Sequence, residues 1–130
     1  MNASRTEEEL QLKIAITSKG KDLDSPMDLR FGRAPYILIV DTLNHGLEVL
    51  DNSENVNAFK GAGIEAAVMI SDRGAKVLLT GYGGPNAIKT LSAAAVKVAN
   101  DVTGTVRDAV IAYRAGKVSF TDGANVEESW

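Results

Sequence analysis

The chain has 130 residues, 45% apolar and 24% charged, with 14 Lys and Arg against 17 Asp and Glu, a formal charge of −3. Such a length and mix fit one globular domain that buries roughly two-thirds of its unfolded surface, and the acidic balance excludes a general nucleic-acid binder, which carries a basic excess. The sequence holds no cysteine, which excludes disulfides, thiolate metal sites and cysteine nucleophiles and fits a reducing, cytoplasmic setting.

No apolar run approaches the roughly 20 residues a helix needs to cross a bilayer, so no membrane partner is expected. Residues 1–11 (MNASRTEEELQ) hold three consecutive glutamates and no apolar stretch; they read as a solvated arm, not a signal peptide. The first strand is expected at 12–17 (LKIAIT). A long irregular stretch, 18–34, follows. Loops beyond about 12–15 residues are uncommon in compact domains and are often functional. Polar and glycine-rich, with few apolar anchors in view, this one is predicted to be loosely held without a ligand. Residues 36–40 (YILIV) are a continuous apolar run between Pro35 and Asp41, the pattern of a strand buried on both faces. Turn residues 42–46, with the sole histidine His45, lead to 47–50 (LEVL), which alternates like an antiparallel partner. A polar linker, 52–57, closes the hairpin.

Ile64, Ala67 and Val68 recur at helical spacing, and Arg73-Gly74 supplies a stop. Residues 77–80 (VLLT) are a short buried strand. Gly81-Tyr82-Gly83-Gly84 turns the chain, and Pro85 suits a first helical position, where its missing N–H does no harm. Ala87, Ile88 and Leu91 form that helix's inner stripe. Residues 96–99 (VKVA) are the next strand. Thr105 and Asp108 resemble a capping pair ahead of a helix striped by Val106, Ala109, Val110 and Tyr113, which Gly116 ends. Residues 117–120 suggest a short edge strand. The organisation is thus an arm (1–11), a single domain (12–120) and a mobile tail (121–130). A strand and a hairpin followed by alternating helices and strands imply an α/β fold, its mostly parallel sheet made mixed by the hairpin. Right-handed crossovers place the loops after Thr17 and Thr80 at one edge, beyond the carboxyl ends of parallel strands, where open α/β sheets bind ligands.

Three segments carry candidate chemistry. Gly81-Tyr82-Gly83-Gly84, between a strand and a helix N-terminus, lets backbone N–H groups converge on an anion, although an ordinary tight turn has the same composition. No Gly-Lys-Ser/Thr follows it, so it is not a Walker A loop. Gly61-Ala62-Gly63-Ile64-Glu65-Ala66 nominally fits G-x-G-x-x-A, but a polar linker precedes it where a dinucleotide fingerprint needs a strand. It remains a second glycine-rich helix start with N–H groups for the same ligand. In the long loop, Arg30 and Arg33 flank Phe31-Gly32. Guanidinium groups grip multi-oxygen or multi-sulfur anions through several donors; the plain alternative is pairing with Asp22, Asp24 or Asp28. The remaining acids scatter over different edges, with Ile14 and Ile16 where a ribonuclease-type first strand would carry one. His45 has no G-x-S-x-G partner. Neither hydrolysis nor any other catalysis is indicated.

Ile14-Ala15-Ile16-Thr17, Arg30-Phe31-Gly32-Arg33-Ala34-Pro35-Tyr36, Gly61-Ala62-Gly63, Gly81 to Ala87 (GYGGPNA) and Thr103-Gly104-Thr105-Val106 together resemble the dinitrogenase iron-molybdenum cofactor biosynthesis family, over about residues 12–118. Within it, the chain resembles the orange proteins of sulfate-reducing bacteria. The resemblance implies a ribonuclease H-like three-layer α/β/α fold with a mixed five-stranded sheet. It implies a carrier, not an enzyme, whose guest is a molybdenum–copper sulfide cluster, two thiomolybdate units bridged by copper, held without a covalent bond. Many relatives have histidine before Phe-Gly; this chain has Arg30, which favours electrostatic holding. On this reading Arg30 and Arg33 supply cationic donors, and Gly32, Gly81, Gly83 and Gly84 allow backbone N–H approach. Met27, Phe31 and Tyr82 shield the sulfides, and Lys19 and Lys21 screen the outer charge. A protein partner for cluster delivery is expected. Two alternatives stay open: a protein-interaction module without a cluster, and a binder of a phosphate-bearing small molecule at the glycine turns.

Overall fold

The computed structural model describes residues 12–44, 46–56 and 62–121. The expected arm, the tail beyond Thr121, His45 and Gly61 lie outside the described residues. Strands β1 (Lys13–Ser18), β2 (Tyr36–Asp41), β3 (Leu47–Asp51), β4 (Ala75–Leu79), β5 (Lys97–Ala99) and β6 (Phe120–Thr121) form one sheet in the order β3-β2-β1-β4-β5-β6. β1, β3, β4 and β5 run in one direction, whereas β2, between β3 and β1, and β6, beside β5, run the opposite way. Among the described residues there are four α-helices, α1 (Ser53–Val56), α2 (Ala62–Asp72), α3 (Pro85–Ala93) and α4 (Val106–Arg114), and a 3-10 turn at Phe31–Arg33.

Two expectations need correction. The sheet has six strands, not five: Ala99 pairs with Phe120 and Val98 with Thr121. This strand starts later than 117, because the Lys117 N–H is still committed to the Ala112 carbonyl at the end of α4. The polar linker after the hairpin contains α1. Its residues gave no apolar period; its start is organised instead by Asp51 Oδ1, which accepts the Ser53 N–H at 2.9 Å.

Alternation along β1 sorts the core into two layers. Ala15, with Ile37, Ile39, Leu78 and Val98, packs under Ala66, Ala67 and Ile70 of α2 and Ala87, Ile88 and Leu91 of α3. Ile14 and Ile16, with Leu38, Val40, Val77 and Leu79, pack under Val106 and Ala109 of α4. The result is an α/β/α sandwich. Each fully buried Ile or Leu contributes about 1.5–3 kcal/mol, so the sheet centre fixes the positions of its strand ends. Helix α4 starts in a reciprocal capping box: Thr105 Oγ1 accepts the Asp108 N–H and Asp108 Oδ2 accepts the Thr105 N–H, both at 3.0 Å. Gly74 follows α2 at φ +83°, a left-handed position that favours glycine.

Candidate functional site

β1 and β4 end side by side, with Ile16 opposite Leu79. One residue on, Thr17 and Thr80 are both fully buried, their hydroxyl oxygens 3.0 Å apart. Thr17 Oγ1 donates to the Asp28 carbonyl at 2.6 Å, which leaves Thr80 as donor to Thr17. The Asp28 N–H returns to the Thr17 carbonyl at 3.2 Å. The end of the long loop is thereby clamped onto the strand ends. It is also anchored by apolar side chains that the sequence reading overlooked: Met27 is 3% and Phe31 1% exposed.

The loop then meets the glycine turn. The Phe31 N–H donates to the Tyr82 carbonyl at 3.0 Å, and Arg30 and Tyr82 form an isolated parallel bridge. The approach is so close that a Cβ on Gly81 would lie 2.7 Å from both Cβ and the carbonyl oxygen of Leu29. On its other side the turn is held by the Asp101 N–H on the Gly81 carbonyl (2.9 Å) and by Asn100 Oδ1, which accepts the Gly83 N–H at 3.0 Å. Gly84 is the extended N-cap of α3, offers no side-chain cap, and is followed by Pro85. The early N–H groups of a helix have no acceptor within the helix, so Asn86 and Ala87 present theirs at the helix's positive end.

These segments enclose a cleft of about 460 Å³, lined by Arg30, Phe31, Gly32, Arg33, Gly63, Ile64, Tyr82, Gly84, Pro85, Asn86 and Ala87. The first turns of both α2 and α3 contribute to it. Gly63 belongs there for a steric reason: a Cβ at this position would sit 3.1 Å from the Ala87 Cβ, so glycine lets the two helices converge. Among the described residues no carboxylate lines it. Arg30, Arg33 and the first turns of two helices thus border one concavity, with Ile64, Tyr82 and Pro85 as apolar wall. The Arg30 Nε lies 3.9 Å from Asp28 Oδ1, and 71% of the Arg30 side chain is exposed, so this contact is a loose, solvated one. Asp24 is engaged elsewhere: Arg107 Nε of α4 donates to its Oδ1 at 2.9 Å, and this bond and charge hold the Asp24 carboxyl below its ordinary value.

Of the residues singled out in the sequence, Arg30, Phe31, Gly32, Arg33, Tyr82 and Gly84 meet in the cleft. Gly63 and Ile64, from the second glycine-rich helix start, join them, whereas Met27, Gly81, Gly83, Lys19 and Lys21 do not line it. Met27 is a correction: it packs in the core on the α4 side of the sheet, its N–H donating to the Gly104 carbonyl, and it cannot shield a guest. Gly83 spends its N–H on Asn100, and Gly81 serves the contact with Leu29. Lys19 is exposed away from the lining, and Lys21 Nζ sits 5.5 Å from the centre of the Tyr36 ring. Asn86 and Asn100 were not anticipated. Asn86 was findable as the residue after a proline at a helix start, whereas nothing local marks Asn100. Among the described residues no three of His, Cys, Asp or Glu are grouped to hold a metal ion, and no helix is long and apolar enough to cross a membrane.

Comparison with known proteins gives a consistent picture. The chain is similar to the apo form of the orange protein from Desulfovibrio gigas, at 43% identity over 85% of this chain and 93% of that one, with a TM-score of 0.83. It is also similar to a NifB-like protein of the DUF35 family from Thermotoga, at 36% identity over 84% of this chain and 92% of that one, with a TM-score of 0.74. No protein in the curated set matches. The family described as dinitrogenase iron-molybdenum cofactor matches residues 12–116, a span that takes in both arginines, both glycine-rich helix starts and the whole cleft, and the chain belongs to that family.

Proposed function

We propose that the protein is a cytoplasmic, non-catalytic carrier that holds an anionic molybdenum–copper–sulfide cluster non-covalently in the cleft between the Phe31–Arg33 turn and the N-termini of α2 and α3. The single observation behind this reading is the convergence of Arg30, Arg33 and two helix N-terminal turns on one cleft, with no carboxylate among the described residues that line it. Permanent guanidinium charge and the N–H groups of the α3 start, which has no side-chain cap, attract a polyanion. Ile64, Tyr82 and Pro85 offer soft apolar contact to sulfide. Similarity to an orange protein and membership of an iron-molybdenum cofactor family support a cluster as the anion. We also read the fold as ribonuclease H-like, because β1, β3, β4 and β5 share one direction and β2 alone opposes them in the order β3-β2-β1-β4-β5.

The test is anaerobic reconstitution of the apo protein with tetrathiomolybdate and a copper(I) salt, followed by desalting and visible absorption. The double substitution Arg30→Ala with Arg33→Ala is expected to cut retained absorption at least tenfold, and unchanged retention refutes the assignment of the cleft. Excess phosphate is expected to leave the guest in place; displacement at millimolar phosphate would instead favour a phosphate-bearing ligand.

A further inference from the structure

Helix α2 turns Ala66, Ala67 and Ile70 into the core and leaves Ile64 (39% exposed) and Val68 (45%) outside. Spaced four residues apart, these two form one stripe along the outer face of the helix. Ile64 lines the cleft. Val68 lines a neighbouring groove of about 340 Å³ together with Asp51, Glu54, Glu65 and Asp72. Arg73, also in that groove, already donates to Glu48. The surface therefore changes sign along α2, from guanidinium groups at the cleft, over an apolar stripe, to four carboxylates.

We propose that this stripe and groove are the docking face for a protein partner that presents a basic amphipathic helix, and that a guest in the cleft strengthens the docking. Apolar side chains on such a helix, also four residues apart, cover Ile64 and Val68. Its Lys and Arg side chains reach Asp51, Glu54, Glu65 and Asp72. Opposite charge of this kind sets partner choice and register. The cleft end of the stripe opposes the same partner while empty, because the largely solvent-exposed Arg30 side chain repels a basic helix. An anionic guest offsets that charge, so the loaded protein binds more tightly than the empty one. By linkage, the docked partner tightens the guest by the same factor. The coupling rests on the carrier reading above; the docking face does not.

The experiment titrates two synthetic helical peptides, one of Leu and Lys with leucines at i and i+4 and its Leu/Glu counterpart, into the 15N-labelled full chain. The Leu/Lys peptide is expected to shift the amides of Ile64, Val68 and Asp72, and the Leu/Glu peptide to leave them unmoved. Val68→Ser and, separately, Glu65→Lys with Asp72→Lys are expected to weaken Leu/Lys binding about tenfold; all three positions are exposed, and the dispersion of the spectrum checks that each variant is folded. Shifts centred elsewhere, or unchanged affinity in folded Val68→Ser, overturn the docking face. Protein reconstituted with tetrathiomolybdate and copper is expected to bind the peptide several-fold more tightly than apo protein. Equal affinity for loaded and empty protein overturns the coupling. A peptide that binds at α2 while no guest is taken up refutes the carrier reading and leaves the docking face standing.

Discussion

Substituting Gly81 by Ala isolates the contact that brings the two halves of the cleft together. The added Cβ would lie 2.7 Å from the Leu29 Cβ, 2.7 Å from its carbonyl oxygen and 2.9 Å from its Cα. Two of these three atoms are backbone, so no side-chain rotation relieves the overlap. The loop must move away from the turn. Overpacking of this kind costs about 1–3 kcal/mol, and outward movement also stretches the 3.0 Å bond from the Phe31 N–H to the Tyr82 carbonyl, a loss of about 1 kcal/mol. The expected destabilisation is therefore about 2–4 kcal/mol, a fall in Tm of roughly 6–16 °C for a domain of this size. Gly84→Ala is the control, since nothing lies within 4 Å of a Cβ there and its φ of −68° suits alanine. Urea unfolding measures the stability of both variants, and reconstitution with tetrathiomolybdate and copper measures guest retention. Gly81→Ala should lose both, and Gly84→Ala should stay within about 1 kcal/mol of the parent, the ordinary range for a glycine N-cap exchange. Parent-like stability in Gly81→Ala would show that the loop does not rest on the turn, and the account of the cleft's assembly would fail with it.

Other consequences are simpler to measure. Thr105→Ala removes the oxygen that caps the Asp108 N–H at 3.0 Å and is expected to cost about 1 kcal/mol in urea unfolding; a cost below about 0.3 kcal/mol would contradict the capping box. Arg107 holds the Asp24 carboxyl below its ordinary 3.8. A depressed carboxylate contributes stability above its unfolded pKa and loses it as pH falls through the folded value, so the Asp24–Arg107 link should be intact at neutral pH and fade below about pH 4. Arg107→Gln should return the Asp24 titration, followed by carboxyl carbon NMR, towards 3.8; an unmoved titration would exclude the pair. Guest retention should fall as ionic strength rises from 0.1 M to 1 M, where the screening length shrinks from about 10 Å to about 3 Å, and desalting at both salt levels reads it out.

What could be read from the sequence was what local chemistry determines. The continuous run from Tyr36 to Val40, the Thr105–Asp108 spacing and Pro85 after a glycine turn each state their own structure. Meeting of the loops after Thr17 and Thr80 followed from crossover handedness, and the Thr17–Thr80 hydroxyl contact of 3.0 Å realises it. The errors arose where a distant partner decides. Met27 lies in a polar loop, yet its N–H is taken by the Gly104 carbonyl and its side chain enters the core beside Val102 and Val106. Asn100 acts on Gly83 across 17 positions of sequence. Gly81 looked like an anion-binding glycine, but its lack of a side chain is required by Leu29, which no composition or period could announce. α1 stayed hidden because its residues, Ser53–Val56, carry no apolar stripe and owe their turn to Asp51.

The cleft's donors also bear on how a guest would leave. A thiolate-bound metal departs only when a coordinate bond breaks, and its ligands hold it in place irrespective of salt. This chain has no cysteine, and the described residues that line the cleft are two arginines, an asparagine, glycines and apolar or aromatic residues. Each of these is a donor or a contact that solvent or another protein's donors can replace one at a time. With 71% of its side chain in solvent, Arg30 is where replacement of a guest's contacts would begin. Phe31, at 1% exposure, and the Thr17–Asp28 bonds keep the wall behind it fixed, so the cleft would not need to be rebuilt on departure of a guest held as proposed. A rigid wall with an exchangeable rim permits tight retention in isolation and transfer on contact, and the stripe of Ile64 and Val68 leads from that rim to the acidic groove where such a contact would form.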